Sequence, residues 1–143
     1  MSRSRSGFTI VELLIVIVII GILAAITIVA YNGIQNRGND SRRDSDVSQL
    51  KKALEMYKVD NGAYPAVCGA DGSGCTVSNL ASALSPKYIA TVPQDPKSPG
   101  TLYSYVRGNA DSYGMLIYYE SKAVCKTGVN VNTGWWGSSV PVC

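Results

Sequence analysis

The chain has 143 residues, 46% of them apolar, which is enough for one domain of ordinary size and too little for a multi-domain enzyme. Lys and Arg number 13 against 10 Asp and Glu, and two of the positive charges, Arg3 and Arg5, stand ahead of everything else, so no basic stripe remains to suggest nucleic-acid binding. The absence of His excludes Ser-His and Cys-His nucleophiles, imidazole acid–base chemistry and nearly all catalytic zinc centres, and neither a catalytic residue nor a cofactor or metal is expected.

Of the 23 residues 8–30, 19 are apolar and only Glu12 is charged. As a helix this stretch would be about 34 Å long against a hydrocarbon core of about 30 Å, so it reads as a transmembrane span. Arg3 and Arg5 before it, with every Cys after it, set the N terminus inside and the C terminus outside. A cleaved secretory signal is the competing reading. It fits less well, because the uncharged run 13–30 exceeds an ordinary signal core and no A-x-A site closes it. A lone carboxylate near the bilayer centre costs about 2.5 to 3.5 kcal/mol, so Glu12 calls for a cation that the translated sequence does not place nearby.

Gly7 followed by Phe8, Thr9, Ile10, Val11, Glu12 and a long aliphatic helix resembles the N-terminal signature of type IV pilins and pseudopilins. The resemblance implies that residues 1–7 are a leader cut between Gly7 and Phe8 by a prepilin peptidase on the cytoplasmic side, and that Phe8 is then N-methylated. It implies a partner for Glu12 as well: the carboxylate pairs with the Phe8 amine of a neighbouring subunit and registers subunits in a filament. Such a pair gives little net stability but penalises misalignment, because displaced charges are left unpaired in apolar surroundings. The implied partners are further copies of the chain, the peptidase, a pilus assembly platform, and the membrane before assembly. Gly21 matches the family's helix glycine. Val29 stands where many members have Pro, so a straighter helix is expected here.

Residues 31–143 read as a globular domain. Its first ten residues hold two Gly and three Asn, so a helix through them would be weak. An amphipathic helix is expected over 41–61, with Val47, Leu50, Leu54 and Tyr57 on one face, while Arg42, Arg43, Asp44, Asp46, Lys51, Lys52 and Glu55 read as a solvated face. Asn61 and Gly62 form a C-cap pair, and Tyr64-Pro65 forces an extended exit.

Residues 62–100 are expected to be a loop region. The Gly-rich stretch between Cys68 and Cys75 lacks a preceding strand and a following Gly-Lys-Ser/Thr, so it is no phosphate loop. Thr76 or Ser78 can cap a short helix carrying Leu80 and Leu84 and stopped by Pro86. The Pro-rich run after it is irregular. Residues 101–143 contain strand signals at 103–106, 113–120, 123–126 and 129–131, with Gly108-Asn109 and Thr127-Gly128 as turns, and read as an antiparallel meander. The fold class is therefore α+β, with a long N-terminal hydrophobic helix continuing into an amphipathic helix packed on a small sheet, as in type IV pilins. Trp135 and Trp136 are either a core and loop anchor or an exposed contact.

Cys68, Cys75, Cys125 and Cys143 form an even set outside the apolar segment, which points to disulfides in an oxidising compartment. Of three connectivities the sequential one closes the shortest loops, of 8 and 19 residues, worth about 2.5 and about 3.2 kcal/mol by chain entropy. The second loop matches the family's C-terminal disulfide-bounded region.

The leading expectation is a structural subunit of a type IV pilus, membrane-bound as a precursor and extracellular as a filament serving motility or adhesion. The alternative is the major pseudopilin of a type II secretion or DNA-uptake system. The C-terminal Cys pair is taken as favouring the pilus reading. Calcium-binding pseudopilins share the fold, and Asp95 and Asp111 are candidate calcium ligands by that resemblance. A second alternative is a membrane-anchored extracellular binding domain that does not polymerise.

Overall fold

The computed structural model describes residues 7–100 and 102–143; Arg3, Arg5 and the other residues expected to form a leader before Gly7 lie outside the described residues. In chain order the elements are α1 (Ile10–Asn61), β1 (Gly74–Thr76), a 3-10 turn (Val77–Leu80), α2 (Ala81–Leu84), β2 (Ser104–Asn109), β3 (Ser112–Ile117) and β4 (Cys125–Val129). The sheet order is β1-β2-β3-β4, with every neighbouring pair antiparallel. The chain divides into an N-terminal unit ending at Asn36 and a globular unit from Arg37 to Cys143.

The N-terminal unit is a helix of Ile, Val and Leu, residues whose branched side chains favour strands in water. In lipid the balance reverses, because each backbone N–H and C=O must be paired within the segment and a helix pairs them all. An 18-residue window of this helix has a mean hydropathy of 3.3 with none of it buried, which is long and apolar enough to cross a membrane.

In the globular unit the expected stripe of α1 packs on one face of the sheet. Val47, Leu50, Ala53 and Leu54 meet Tyr105, Tyr113, Met115 and Ile117, with Leu80 and Leu84 from the turn and α2 closing the side. Residues 31–40 are helical throughout. Asn39 Nδ2 donates to Glu120 Oε1 at 2.9 Å, and the Asp40 carboxylate accepts the backbone N–H groups of Glu120 and Ser121 at 2.9 and 2.8 Å, so tertiary contacts fix the end of a segment whose composition is unfavourable. α1 stops where expected: Gly62 takes φ 76° and donates its N–H to Lys58 O at 2.7 Å, closing the last turn in the left-handed conformation that glycine adopts most readily.

The sheet differs from expectation at three places. Gly108 and Asn109, expected as a turn, are the last residues of β2, and the chain reverses at Ala110 and Asp111 instead. β1 lies inside the expected loop region, paired Cys75 to Tyr105 and Thr76 to Ser104. Three residues containing a Gly and a Cys carry almost no strand signal, and what holds them is the edge of β2. The signals at 123–126 and 129–131 merge into the single strand β4, with Thr127-Gly128 inside it rather than at a turn. Gly128 has φ 154°, and a Cβ there would collide with the Tyr113 carbonyl oxygen, so close approach to β3 is the reason for this glycine.

The opposite face of the sheet carries Val106, Leu116 and Lys126, and here Gly74, Val106, Gly114 and Gly128 align in register across the four strands. Trp135 and Trp136 lie over this row: a Cβ at Gly114 would come within 2.9 Å of the Trp135 ring and 3.2 Å of the Trp136 ring. Both Trp are half-buried, which makes them anchors of the C-terminal loop. Beyond them the chain returns to β4. Lys126 N–H donates to Pro141 O and Cys143 N–H to Lys126 O, both at 2.9 Å, as part of a parallel bridge between Lys126 and Val142.

Candidate functional site

The first helical turn is a capping box. Thr9 N–H donates to Glu12 Oε2 at 2.8 Å, Thr9 Oγ1 donates to the same oxygen at 2.7 Å, and Glu12 N–H donates to Thr9 Oγ1 at 3.2 Å. Threonine at the cap with glutamate three residues later satisfies donors that the helix start would otherwise leave open. The arrangement holds the Glu12 carboxylate against the start of the helix, on the side of the Gly7-Phe8 bond. Gly7 and Phe8 are both exposed and precede the helix, outside any regular element. The aliphatic side chains that follow, such as Ile17, Ile26 and Val29, are exposed as well, the last at 75%. A surface of this size without a cover demands lipid or protein around it.

The globular unit is locked by an ion cluster. Arg43 is fully buried on α1; its Nε and Nη2 donate to the two Asp95 oxygens at 2.7 and 2.9 Å, and its Nη1 donates to Asp40 at 2.8 Å and Glu120 at 3.0 Å. Lys97 Nζ completes the set at 2.7 Å from Glu120. A guanidinium fork suits this task because its five donors can serve three carboxylates at once. Burial works against ionisation of Asp40, but the Ser121 hydroxyl, the backbone N–H groups of Glu120 and Ser121 and the Arg43 guanidinium outweigh it and hold the carboxyl at about 2.

This cluster corrects the reading of the α1 charges as a solvated face. Arg43 and Asp46 are buried, Asp46 accepting the Tyr103 hydroxyl at 2.9 Å. Arg42 remains largely exposed. The sequence signal that could have found the pair is the i,i+3 spacing of Asp40 and Arg43; their partners Asp95 and Glu120 are more than fifty residues away, beyond any local pattern.

The candidate calcium ligands are not brought together. Asp95 is committed to Arg43, and Asp111 lies in the β2–β3 turn with Lys58 Nζ at 2.9 Å. Among the described residues no group of three or more His, Cys, Asp or Glu is placed to hold a metal, so these two residues do not fit a calcium site. Cation chemistry of another kind occurs at Lys126, which is 2% exposed. Its ammonium donates to the carbonyls of Thr133, Trp135 and Gly137 at 2.8, 3.1 and 3.3 Å, gathering the C-terminal loop around one internal charge. Nothing in the sequence signals this, since a Lys on a short strand usually faces solvent.

The disulfides are Cys68–Cys75 and Cys125–Cys143, the sequential pairing. The first ties the loop ahead of β1, and the second joins the start of β4 to the C-terminal residue.

Residues 31–122, most of the globular unit, match the family model for type II secretion system protein G, and residues 2–28 match the prokaryotic N-terminal methylation motif. The chain belongs to the type II secretion protein G family. Type II secretion system core protein G of Escherichia coli K12 is 36% identical to it over 139 residues, covering 94% of this chain and 93% of that protein. The protein of the same name from Pectobacterium carotovorum is 31% identical over 138 residues, covering 92% and 85%. That from Aeromonas hydrophila is 37% identical over 100 residues, covering 66% and 68%. No solved structure matches the chain. Protein G is a pseudopilin of the type IV pilin family, so the resemblance drawn from Gly7 to Glu12 holds and narrows to the pseudopilin branch. The C-terminal Cys pair, taken in the sequence as favouring a pilus, is outweighed by a match that runs through the globular unit.

Proposed function

We propose that this protein is the major pseudopilin of a type II secretion system. Its precursor is anchored in the cytoplasmic membrane by the apolar helix, cut between Gly7 and Phe8 by a prepilin peptidase, methylated on Phe8, and polymerised into a periplasmic pseudopilus of its own copies on an assembly platform. The role is structural, without catalysis or a cofactor. The observation that carries this reading is the protein G match over residues 31–122 directly after a methylation motif over residues 2–28.

The physics of the helix supports it. Tight helix packing in a filament can replace lipid around the same apolar surface, so one segment serves as anchor and then as polymer core. In the filament Glu12, already held toward the helix start by Thr9, accepts the Phe8 ammonium of a neighbour and fixes the axial register.

The test has two readouts in the native host. Mass spectrometry of the protein is expected to find an N-methylated Phe8 at the N terminus; an intact Met1 would overturn the processing step and favour a tethered domain that does not polymerise. Deletion of the gene is expected to retain exported proteins in the periplasm while surface pili persist. Loss of surface pili with secretion intact would return the protein to the type IV pilus reading.

A further inference from the structure

A recess of about 560 Å3 in the globular unit opens beside the turn between β2 and β3. Its walls include Asn109 from the end of β2, Asp111 from that turn, Asn130 and Asn132 from the segment after β4, Asp71 from the first disulfide loop, and Trp135. No step of the filament reading uses it.

Each of the three amides is held by one hydrogen bond to the backbone. Asn109 Oδ1 accepts the Asp111 N–H at 2.8 Å and Asn132 Oδ1 accepts the Gly134 N–H at 2.7 Å, which fixes each side chain and leaves its Nδ2 donors without a protein partner among the described residues. Asn130 is fixed the opposite way: its Nδ2 donates to Asp111 O at 3.2 Å and its Oδ1 is left as an acceptor. The acids are already balanced, Asp111 by Lys58 at 2.9 Å and Asp71 by Arg107 at 3.4 Å, so the recess offers no net charge to an ion. What it offers is a set of immobilised neutral donors and acceptors next to a half-buried indole. Hydroxyl groups both donate to and accept from amides, and the C–H face of a pyranose ring matches an indole surface.

We infer that this cleft binds a neutral saccharide, with a sugar ring against Trp135 and its hydroxyls on Asn109, Asn130 and Asn132. The site stands independently of whether the chain polymerises. An open recess that competes with water gives modest affinity, a dissociation constant of about 1 mM.

The sequence contains two Trp, Trp135 and Trp136, so fluorescence of the full chain in lipid nanodiscs, excited selectively at Trp rather than Tyr, reports on this region. Cellobiose, maltose and N,N′-diacetylchitobiose are titrated separately, with glycerol as a control for hydroxyl content. At least one disaccharide is expected to give a saturable change in emission. Asn132→Asp and Asn109→Asp keep the oxygen that accepts the backbone N–H but remove the unpartnered donor, and each is expected to weaken binding about tenfold with an unchanged thermal transition. The inference is overturned if none of the three sugars gives saturation up to about 50 mM, if glycerol reproduces the response, or if both variants bind as the parent does.

Discussion

Replacing Lys126 by Met removes the charge at the centre of the C-terminal loop while keeping an unbranched side chain of similar length. In the parent the ammonium is buried and serves three carbonyls, of Thr133, Trp135 and Gly137. A hydrogen bond to a charged group contributes about 1.5 to 3 kcal/mol, and the cost of desolvating the ammonium offsets much of the total for three. The carbonyls of Thr133 and Gly137 belong to exposed residues and can turn to water once the ammonium is gone, whereas that of Trp135, half-buried on the sheet, recovers water as the loop opens. A net loss of about 2 to 3 kcal/mol follows, and it falls on the loop rather than on the helix–sheet core. Loop opening therefore rises about 30-fold to 150-fold at constant core stability, 1.4 kcal/mol being a factor of ten. Trp emission should shift to the red as Trp135 and Trp136 leave the glycine row, and limited proteolysis should cut within residues 130–140 while the helical circular dichroism signal persists. Unshifted emission together with parental protease resistance in Lys126→Met would refute the view that this ammonium holds the loop.

The Cys125→Ser, Cys143→Ser double variant should also release the loop, at a cost of about 3.2 kcal/mol on the chain-entropy model, with the helix signal retained and filament yield reduced. Arg43→Met should lower stability by about 3 to 5 kcal/mol in urea denaturation, since Asp40, Asp95 and Glu120 lose their shared cation inside the fold. Asp40 has a folded-state pKa of about 2, below its ordinary 3.8, so its ionised form stabilises the fold above about pH 4; that contribution, about 2 kcal/mol, is lost as pH falls from 4 to 2, and Asp40→Asn should flatten this part of the urea-midpoint profile. Glu12→Ala should leave membrane insertion intact and depress assembly, measured by membrane fractionation and by sheared filament yield; normal filament yield would remove its registration role.

The elements that the sequence announced are those whose signal is local. Residues 8–30 speak through composition, and Val47, Leu50 and Leu54 through spacing. Gly62 ends α1 by a conformation that its lack of a Cβ allows. What stayed hidden depends on residues far apart in the chain. β1 exists because β2 offers an edge, and the helicity of residues 31–40 is secured by Glu120 and Ser121. The burial of Arg43 required Asp95 and Glu120 to arrive from separate loops, and without them an Arg among mixed charges reads as surface. Lys126 is the extreme case, because its partners are backbone carbonyls and carry no side-chain identity at all. Gly128 misled in the other direction: a Thr-Gly pair is an ordinary turn signal, yet here the glycine makes room for the neighbouring strand.

The return of the C-terminal residues to β4 has a consequence for solubility. β4 ends the sheet, and a bare outer strand is a template on which another chain can add by backbone pairing. Lys126, in the second position of that strand, already has its outward N–H and C=O taken by Pro141 and Cys143 of its own tail. Copies of this protein crowded along a pseudopilus would meet one another's sheets at very high local concentration, the condition that most favours strand-to-strand addition. By occupying that border with residues 141–143, pinned there by Cys125–Cys143, each copy closes one route to disordered growth.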